Sequence, residues 1–246
     1  MRVSTAFGLD IGGTGIKGGV VDLASGELVS ERVRLDTPQP ATVAAVLDTA
    51  AAVVAQTGWS GPIGCAFPGV VKDGVVGSSA NIDDEWLGEH LERHLAARLN
   101  APVRSLNDAD AAGLAEMRLG AGVERDGVVM MLTLGTGIGS ALFVDGRLVP
   151  NTELGHLEID GAVAESRASA AAREREGLSY EEWAVRLQRY FSHVEQLFSP
   201  DLFIVGGGIS RKADRFLPLI SVRADLVPAR LRQNSGIVGA ALRSME

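Results

Sequence analysis

The sequence predicts an α/β protein built from two related halves, and three observations carry that prediction. Short apolar, strand-like runs alternate along the chain with Ala- and Leu-rich stretches of helical spacing. A strand–glycine loop–strand pattern occurs twice, as Gly13-Thr14-Gly15-Ile16 and as Gly135-Thr136-Gly137-Ile138, about half the chain apart. The length of 246 residues suits one large domain or two small ones.

Each element has its own local reason. Residues 5–10 are apolar and end in Asp10, which reads as a buried strand, and 18–23 and 27–33 alternate as two more strands about the turn Ala24-Ser25-Gly26. Residues 41–56 form an Ala/Val helix, entered after Pro40 and stopped by Gly58. Strands follow at 63–67 and 74–79, then a helix over 86–99, then a strand at 102–106 that feeds a helix over 109–119. The second half repeats the opening, with a strand at 128–134, glycines, and strands at 140–144 and 147–149. Helices over 162–176 and 180–198, a strand at 202–205 and a last helix near 237–243 complete the chain.

Composition narrows the function. With 46% hydrophobic and 22% charged residues the balance is that of an ordinary globular protein, but 30 glycines are an excess. No Gly-X-Y period accompanies them and prolines number 9, so the excess belongs to particular turns. The net charge of −8 is the wrong sign for a general nucleic-acid or anionic-membrane binder. The single cysteine, Cys65, excludes an intrachain disulfide framework and a multi-cysteine zinc site, and its apolar surroundings read as core. The opening MRVSTAFGLD has no signal-peptide apolar region, and no run of about 20 apolar residues suggests a membrane span. A cytoplasmic location is therefore expected.

Gly13-Thr14-Gly15-Ile16-Lys17-Gly18 formally fits the dinucleotide fingerprint G-x-G-x-x-G, which requires a helix to begin at the loop. Here the continuation Gly19-Val20-Val21-Asp22 alternates like a strand, and no Gly-Lys-Ser/Thr phosphate loop is present. What remains is a hairpin carrying Asp10, Gly12, Gly13, Thr14 and Lys17. Such a loop lets backbone N–H groups approach an anion, with the Thr14 hydroxyl and the Lys17 ammonium as further donors. The competing explanation is a plain hairpin turn that needs glycine for positive φ. A second loop, 133–140, and a third cluster, Gly206-Gly207-Gly208, expected to open a helix from Ser210, favour phosphate.

Five motifs then stand in order: Asp10-Ile11-Gly12-Gly13-Thr14-Gly15-Ile16-Lys17, Leu106-Asn107-Asp108-Ala109-Asp110, Leu134-Gly135-Thr136-Gly137-Ile138-Gly139, Pro150-Asn151-Thr152-Glu153-Leu154-Gly155-His156 and Gly206-Gly207-Gly208-Ile209-Ser210. Together they resemble the ROK family of sugar kinases over essentially the whole chain. Phe67-Pro68-Gly69, Ala80-Asn81-Ile82-Asp83, Arg173-Glu174-Arg175-Glu176 and the run from Lys212 to Pro218 resemble its polyphosphate-using glucokinase branch. Most members of the family carry a cysteine-rich zinc motif after the residue matching His156; this chain has none, as in the polyphosphate branch, so no structural zinc is expected. The duplicated pattern and the resemblance imply a two-lobed fold of the actin-like, ribonuclease-H-like sugar kinase type with a cleft between the lobes. A small lobe over 1–106, with 236–246 packing back on it, and a larger lobe over 107–235 are expected.

The resemblance implies transfer of a phosphoryl group from polyphosphate or ATP to the 6-hydroxyl of glucose. Asp108, where a strand gives way to a helix, is the expected general base; the alternative is that it caps the helix, a role assigned here to Asp110. Gly69, Asn81, Asn107, Asp108, Glu153, His156 and Glu158 are the implied sugar-binding residues. Asp10, Gly12, Gly13, Thr14, Lys17, Thr133, Gly135, Thr136, Gly137, Gly207, Gly208 and Lys212 are the candidate phosphate-binding residues. His90 and His94, four apart, have metal-ligand spacing, but their charged neighbours read as a solvated helix face, and no direct metal ligands are assigned. Between Arg211 and Arg232, Arg211, Lys212, Arg215, Arg223, Arg230 and Arg232 face only Asp214 and Asp225, a basic run suited to a polyanion and equally to a solvated face. Mg²⁺ is implied as the bridging cation, and a homodimer by resemblance alone; no nucleic-acid or membrane partner is expected. The alternatives are a strictly ATP-dependent hexose kinase (for glucose, fructose or mannose), a sugar-sensing regulator of the same family, and a sugar-binding module without catalysis.

Overall fold

The computed structural model describes residues 4–246; Met1, Arg2 and Val3, assigned above to the first lobe, lie outside the described residues. The chain divides into two compact units, one running to Ala115 and taking up Asn234–Glu246, the other comprising Glu116–Gln233.

In the first unit β1 (Thr5–Ile11) and β2 (Ile16–Asp22) form a hairpin, followed by β3 (Val33–Leu35), α1 (Val43–Ala55) and β4 (Ile63–Phe67). A small hairpin of β5 (Val71–Lys72) and β6 (Val75–Val76), then α2 (Leu91–Leu99), β7 (Val103–Asn107) and α3 (Asp108–Leu119) follow. The sheet order is β3-β2-β1-β4-β7, with β1 antiparallel to β2 and parallel to β4, and β4 parallel to β7. Every residue of β4 is buried, the pattern of a strand covered on both faces. The core under α1 and α2 is built on Phe7, Leu9, Val53, Phe67, Trp86 and Leu95.

The second unit holds β8 (Val128–Leu134), β9 (Ile138–Val144), β10 (Arg147–Val149), β11 (Glu158–Ile159), β12 (Ala162–Val163), α4 (Ala164–Ala168), α5 (Ala170–Arg175), α6 (Tyr180–Phe198), β13 (Leu202–Gly206) and β14 (Asp225–Pro228). Its sheet runs β10-β9-β8-β13-β14 with the same directions: an antiparallel hairpin, then two parallel neighbours. The repeated glycine motif is thus the visible part of a repeated sheet. α6 starts at a full capping box between Ser179 and Glu182 and buries Trp183, Leu187, Tyr190, Phe191 and Val194 on one face. The last helix, α7 (Ser235–Arg243), belongs to the first unit. It lies so close on β1 and β4 that a Cβ at Gly8 would stand 1.8 Å from the Ile237 carbonyl, and one at Gly64 1.5 Å from that of Ala240. Among the described residues no helix is long and apolar enough to cross a membrane.

Several elements differ from the sequence expectation for identifiable reasons. Residues 27–33 are no continuous strand: the Ser30 hydroxyl takes the N–H of Val20, and only Leu28 bridges to Val21 before β3 begins. The strand expected at 74–79 shrinks to β6, because the turn at Asp73 and Gly74 folds it straight back on β5. The helix expected over 86–99 is split: the Asp83 carboxylate caps a 3-10 turn at Asp84–Trp86, Gly88 at φ +82 breaks the chain, and α2 starts at Leu91. The helix expected over 162–176 opens as β12 and is cut at Ser169, whose extended backbone ends α4 and whose hydroxyl caps α5. The helix expected from Ser210 is a 3-10 segment, Gly208–Arg215, broken at Lys212. The division between units falls inside α3 rather than after 106. The start of α3 packs on α7, where a Cβ at Gly239 would meet the Ala111 carbonyl, while buried Glu116 accepts from Ala121, Arg230 and Leu231 of the second unit.

Candidate active site

In open α/β sheets ligand sites form at the carboxyl ends of parallel strands, where loops and helix starts converge. In the first unit that edge is set by the register Asp10↔Ala66 and Phe67↔Asn107. It therefore gathers the Gly12–Gly15 turn, Pro68-Gly69 and the Asn107-Asp108 junction. The turn is closed by Gly12 N–H to the Gly15 carbonyl at 3.1 Å; the Thr37 hydroxyl donates to the Gly12 carbonyl and Arg34 to that of Thr14. Asn81, at φ +59, lies directly on the turn, so that a Cβ on Gly13 would come within 2.6 Å of it.

β2 begins at Ile16, so Lys17 is a strand residue facing Asp10 across the ladder, and their side chains form an ion pair at 2.9 Å. Asp10 is buried, and its carboxylate abuts Gly236 at the start of α7, the end of a helix that favours negative charge. The Lys17 charge is therefore already partnered.

The junction after β7 assigns roles that the sequence divided differently. Asn107, not Asp110, caps α3: its Oδ1 accepts from the N–H groups of Ala109 at 2.8 Å and Asp110 at 3.1 Å. Its amide donates to the Gly69 carbonyl at 3.1 Å, which ties the end of β7 to the loop after β4. Asn107 is thus a buried fastener, and Asp108, the first residue of α3, is the exposed carboxylate that the fastener holds in place.

In the second unit the matching edge carries both remaining glycine clusters side by side. Thr133 pairs with Gly139 on one flank and Gly206 on the other. Gly135 N–H closes the first loop onto the Gly137 carbonyl, and Thr136 at its tip is exposed. Gly207, at φ +84, sits against the Leu134 backbone, where a Cβ would lie 2.4 Å from the carbonyl oxygen.

Glu153 and His156 bracket a 3-10 turn, Leu154–His156, with the His156 N–H on the Glu153 carbonyl. Burial pushes the Glu153 carboxyl above the usual glutamate range; His156 opposes the shift and Glu165 adds to it. Glu165 is the residue that sequence reasoning missed. One of its oxygens accepts from Ile138 N–H at 3.0 Å and crowds Gly137 and Gly155, and the other stands 3.7 Å from His156 Nε2. It links the glycine loop to the Glu153–His156 turn. Its only signal in sequence was an acid in the first turn of a helix, which is commonplace. Glu158 lies outside this cluster, exposed on β11.

The basic run breaks up. Arg223 pairs with Glu195 at 3.3 Å and precedes β14, so it stands at the opposite end of the sheet from Gly206–Gly208. Arg211, Lys212 and Arg215 lie on the 3-10 segment that leaves the glycines, and Arg230 and Arg232 follow the carboxyl end of β14. His90 precedes α2 instead of sharing its face with His94, and His94 bonds Glu89 at 2.6 Å.

Comparison with known proteins fits this arrangement. Residues 6–177 match the ROK family. The chain is 52% identical to the polyphosphate glucokinase of Mycobacterium tuberculosis (strain ATCC 25618 / H37Rv) over 240 residues, 97% of this chain and 91% of the relative. It superposes with TM-score 0.94 and 57% identity on the inorganic polyphosphate/ATP-glucomannokinase of Arthrobacter sp. strain KM, covering 98% of both chains. With the ROK family glucokinase from Streptomyces griseus, solved with glucose and AMPPNP, the TM-score is 0.86 at 27% identity, over 98% of this chain and 100% of that one. The fold is that of the two-lobed, actin-like sugar kinases. Five ordered motifs, two sheets of one topology and a match over most of the chain converge on one conclusion: this protein belongs to the ROK family.

Proposed function

We propose that this protein transfers a phosphoryl group from inorganic polyphosphate, and also from ATP, to the 6-hydroxyl of glucose. The observation that carries the reading is the Asn107-Asp108 junction: a buried cap fixes an exposed carboxylate at a strand end, a rigid base for a sugar hydroxyl. The sequence likeness to polyphosphate glucokinases and to a polyphosphate/ATP-glucomannokinase supports the donor class.

In this reading Asp108 accepts the 6-hydroxyl proton as that oxygen attacks the terminal phosphorus of the donor. Asn81, Glu153 and His156, with the backbone at Gly69, recognise the other hydroxyls, while Asn107 acts by holding Asp108 and the Gly69 loop. Glu158 has no support from position. The glycine loops, with the exposed residues Thr14 and Thr136 at their tips, cradle the phosphates. Asp10 is the carboxylate suited to a Mg²⁺ ion that is carried in by the phosphates and touched through water. Such a cation neutralises charge on the transferring phosphoryl group. The same reading places the enzyme in the cytoplasm as a homodimer.

Initial rates with ATP and with long-chain polyphosphate, at saturating glucose, test it. Activity with both is expected. Activity with ATP alone would replace it by the ATP-dependent hexose kinase reading.

A further inference from the structure

Away from the glycine loops, in the second unit, two arginines converge on one aromatic ring. The guanidinium of Arg173, at the end of α5, lies 4.0 Å from the centroid of the Tyr180 ring, and that of Arg215, at the end of the 3-10 segment, lies 4.2 Å from it. Two like charges are thus held no more than about 8 Å apart, within a Debye length at physiological salt. Among the described residues neither guanidinium has a carboxylate within ion-pair distance, although Glu174, Asp214 and Glu181 are neighbours in sequence, and Glu181 is near enough to feel the Arg215 charge. The arginines on either side behave otherwise: Arg175 and Arg186 pair with Glu176, and Arg223 with Glu195.

The ring is firmly placed. Tyr180 is 4% exposed, stacks on Phe216 with centroids 6.3 Å apart and meets Trp183 edge-on. Its hydroxyl, and Nε of Arg173, are buried without a hydrogen-bond partner. One buried ring therefore holds two cations that no carboxylate among the described residues neutralises, an arrangement that a phosphate oxyanion would complete from the solvent side of the guanidiniums.

The position follows from the two glycine loops of the same unit. Ala171 N–H bonds the Gly135 carbonyl at 3.0 Å, and Arg173 stands two residues further along α5. The 3-10 segment starts at Gly208 and ends at Arg215, a rise of at most about 14 Å. Both loops thus lead to the same ring. We infer that Arg173 and Arg215, held on the Tyr180 ring, form a distal subsite for an inorganic polyphosphate chain, gripping phosphates several positions behind the one transferred. The inference rests on the polyphosphate reading above. Guanidiniums already stacked on a buried ring lose little freedom on binding, so the subsite is preorganised; a donor no longer than a triphosphate should gain nothing from it.

The test compares the parent enzyme with R173A/R215A and R173K/R215K, using ATP, tripolyphosphate and polyphosphates of increasing length at saturating glucose. For R173A/R215A we expect KM for long chains to rise about tenfold or more, with kcat and the KM for ATP and tripolyphosphate unchanged and a shallower salt dependence of long-chain KM. The Lys pair should recover part of the affinity. Equilibrium binding of long-chain polyphosphate without glucose should weaken in parallel, and melting temperatures report whether the ring cluster survives. An unchanged KM for long chains in a folded R173A/R215A overturns the inference. So does an equal rise for tripolyphosphate, which would place the arginines at the reacting phosphate or in the fold alone. If R173A/R215A does not fold, R173K/R215K decides: it keeps both charges, so its salt slope should stay that of the parent, and a long-chain KM equal to the parent's refutes the subsite. Absence of polyphosphate activity in the parent would instead overturn the donor reading.

Discussion

Replacing Asn107 by Ala separates a scaffold role from direct sugar binding. The side chain is 5% exposed and makes three hydrogen bonds, two accepted from the first turn of α3 and one donated to the Gly69 carbonyl. Loss of an N-cap costs about 0.5–2 kcal/mol. The Gly69 carbonyl, left buried without its donor, adds about 1–3 kcal/mol. The expected destabilisation is therefore about 2–4 kcal/mol, which lowers the melting temperature of a chain this size by about 5–15 °C. N107D retains an acceptor for the helix and loses the donor to Gly69, so its loss should be roughly half as large. Thermal unfolding followed by circular dichroism, with and without saturating glucose, reads both effects. If N107A melts within about 2 °C of the parent while its KM for glucose rises tenfold, Asn107 is a sugar ligand and the fastening argument is wrong.

Other predictions follow from single contacts. D108N should lose about 10²–10⁴-fold in kcat while calorimetric glucose binding stays close to that of the parent; turnover within about threefold would remove Asp108 as the base. Gly13→Ala drives a Cβ into Asn81, so the KM for glucose should rise and stability fall by about 1–3 kcal/mol; an unchanged KM would detach Asn81 from the sugar. Burial alone would raise the Glu195 carboxyl, but the N–H groups of Ala224 and Arg223 and the Arg223 guanidinium prevail and hold it below the usual glutamate range. Its contribution to stability is thus present above the ordinary glutamate pKa and is lost as pH falls through its own lower value. E195Q should be less stable at neutral pH and show a flatter acid limb in melting temperature against pH. Glu153 has the opposite sign: raised by burial, it makes stability fall as pH climbs from the ordinary glutamate pKa through its own value. E153Q should remove that descent and weaken glucose binding; a parent curve with no descent in that window would contradict the burial argument.

What was legible in the sequence were the features in which one residue type answers one physical demand. Strands β4, β8 and β13 are apolar because both faces are covered, and the ends of α6 are written by Ser179 and Glu182 and by the run to Phe198. The hairpins were readable because β2 and β9 alternate where a dinucleotide loop would need a helix. The losses came where a side chain competed with the backbone at long range or a short polar residue cut a favourable run. Ser30 displaced a ladder bond to Val20, and Ser169 divided α4 from α5. At the site, Asn107 and Asp110 are equally plausible caps in sequence. Only the Gly69 carbonyl, 38 residues back, shows why Asn107 is the one turned inward. Glu165 was missed for the same reason: its partners Ile138 and His156 are distant in sequence.

The duplicated sheet also explains why donor choice is hard to read from the phosphate loops. In the proposed reading the glycine turns at Gly12–Gly15 and Gly135–Gly137 and the backbone at Gly207 meet the terminal phosphate of either donor. An ATP and a polyphosphate end alike present phosphoryl oxygens there, so contacts at the reacting group bind both and discriminate little between them. Discrimination must come from what trails behind that group, a nucleoside in one case and further anions in the other. In the second unit the elements that leave the glycine loops carry unpaired guanidiniums to one buried tyrosine ring, while Arg223, the base that already has a carboxylate, stands at the far end of the sheet. Two guanidiniums left unpaired at one ring, with Arg223 neutralised at the far end of the sheet, are the arrangement that the proposed subsite needs to favour a long anion over a short one.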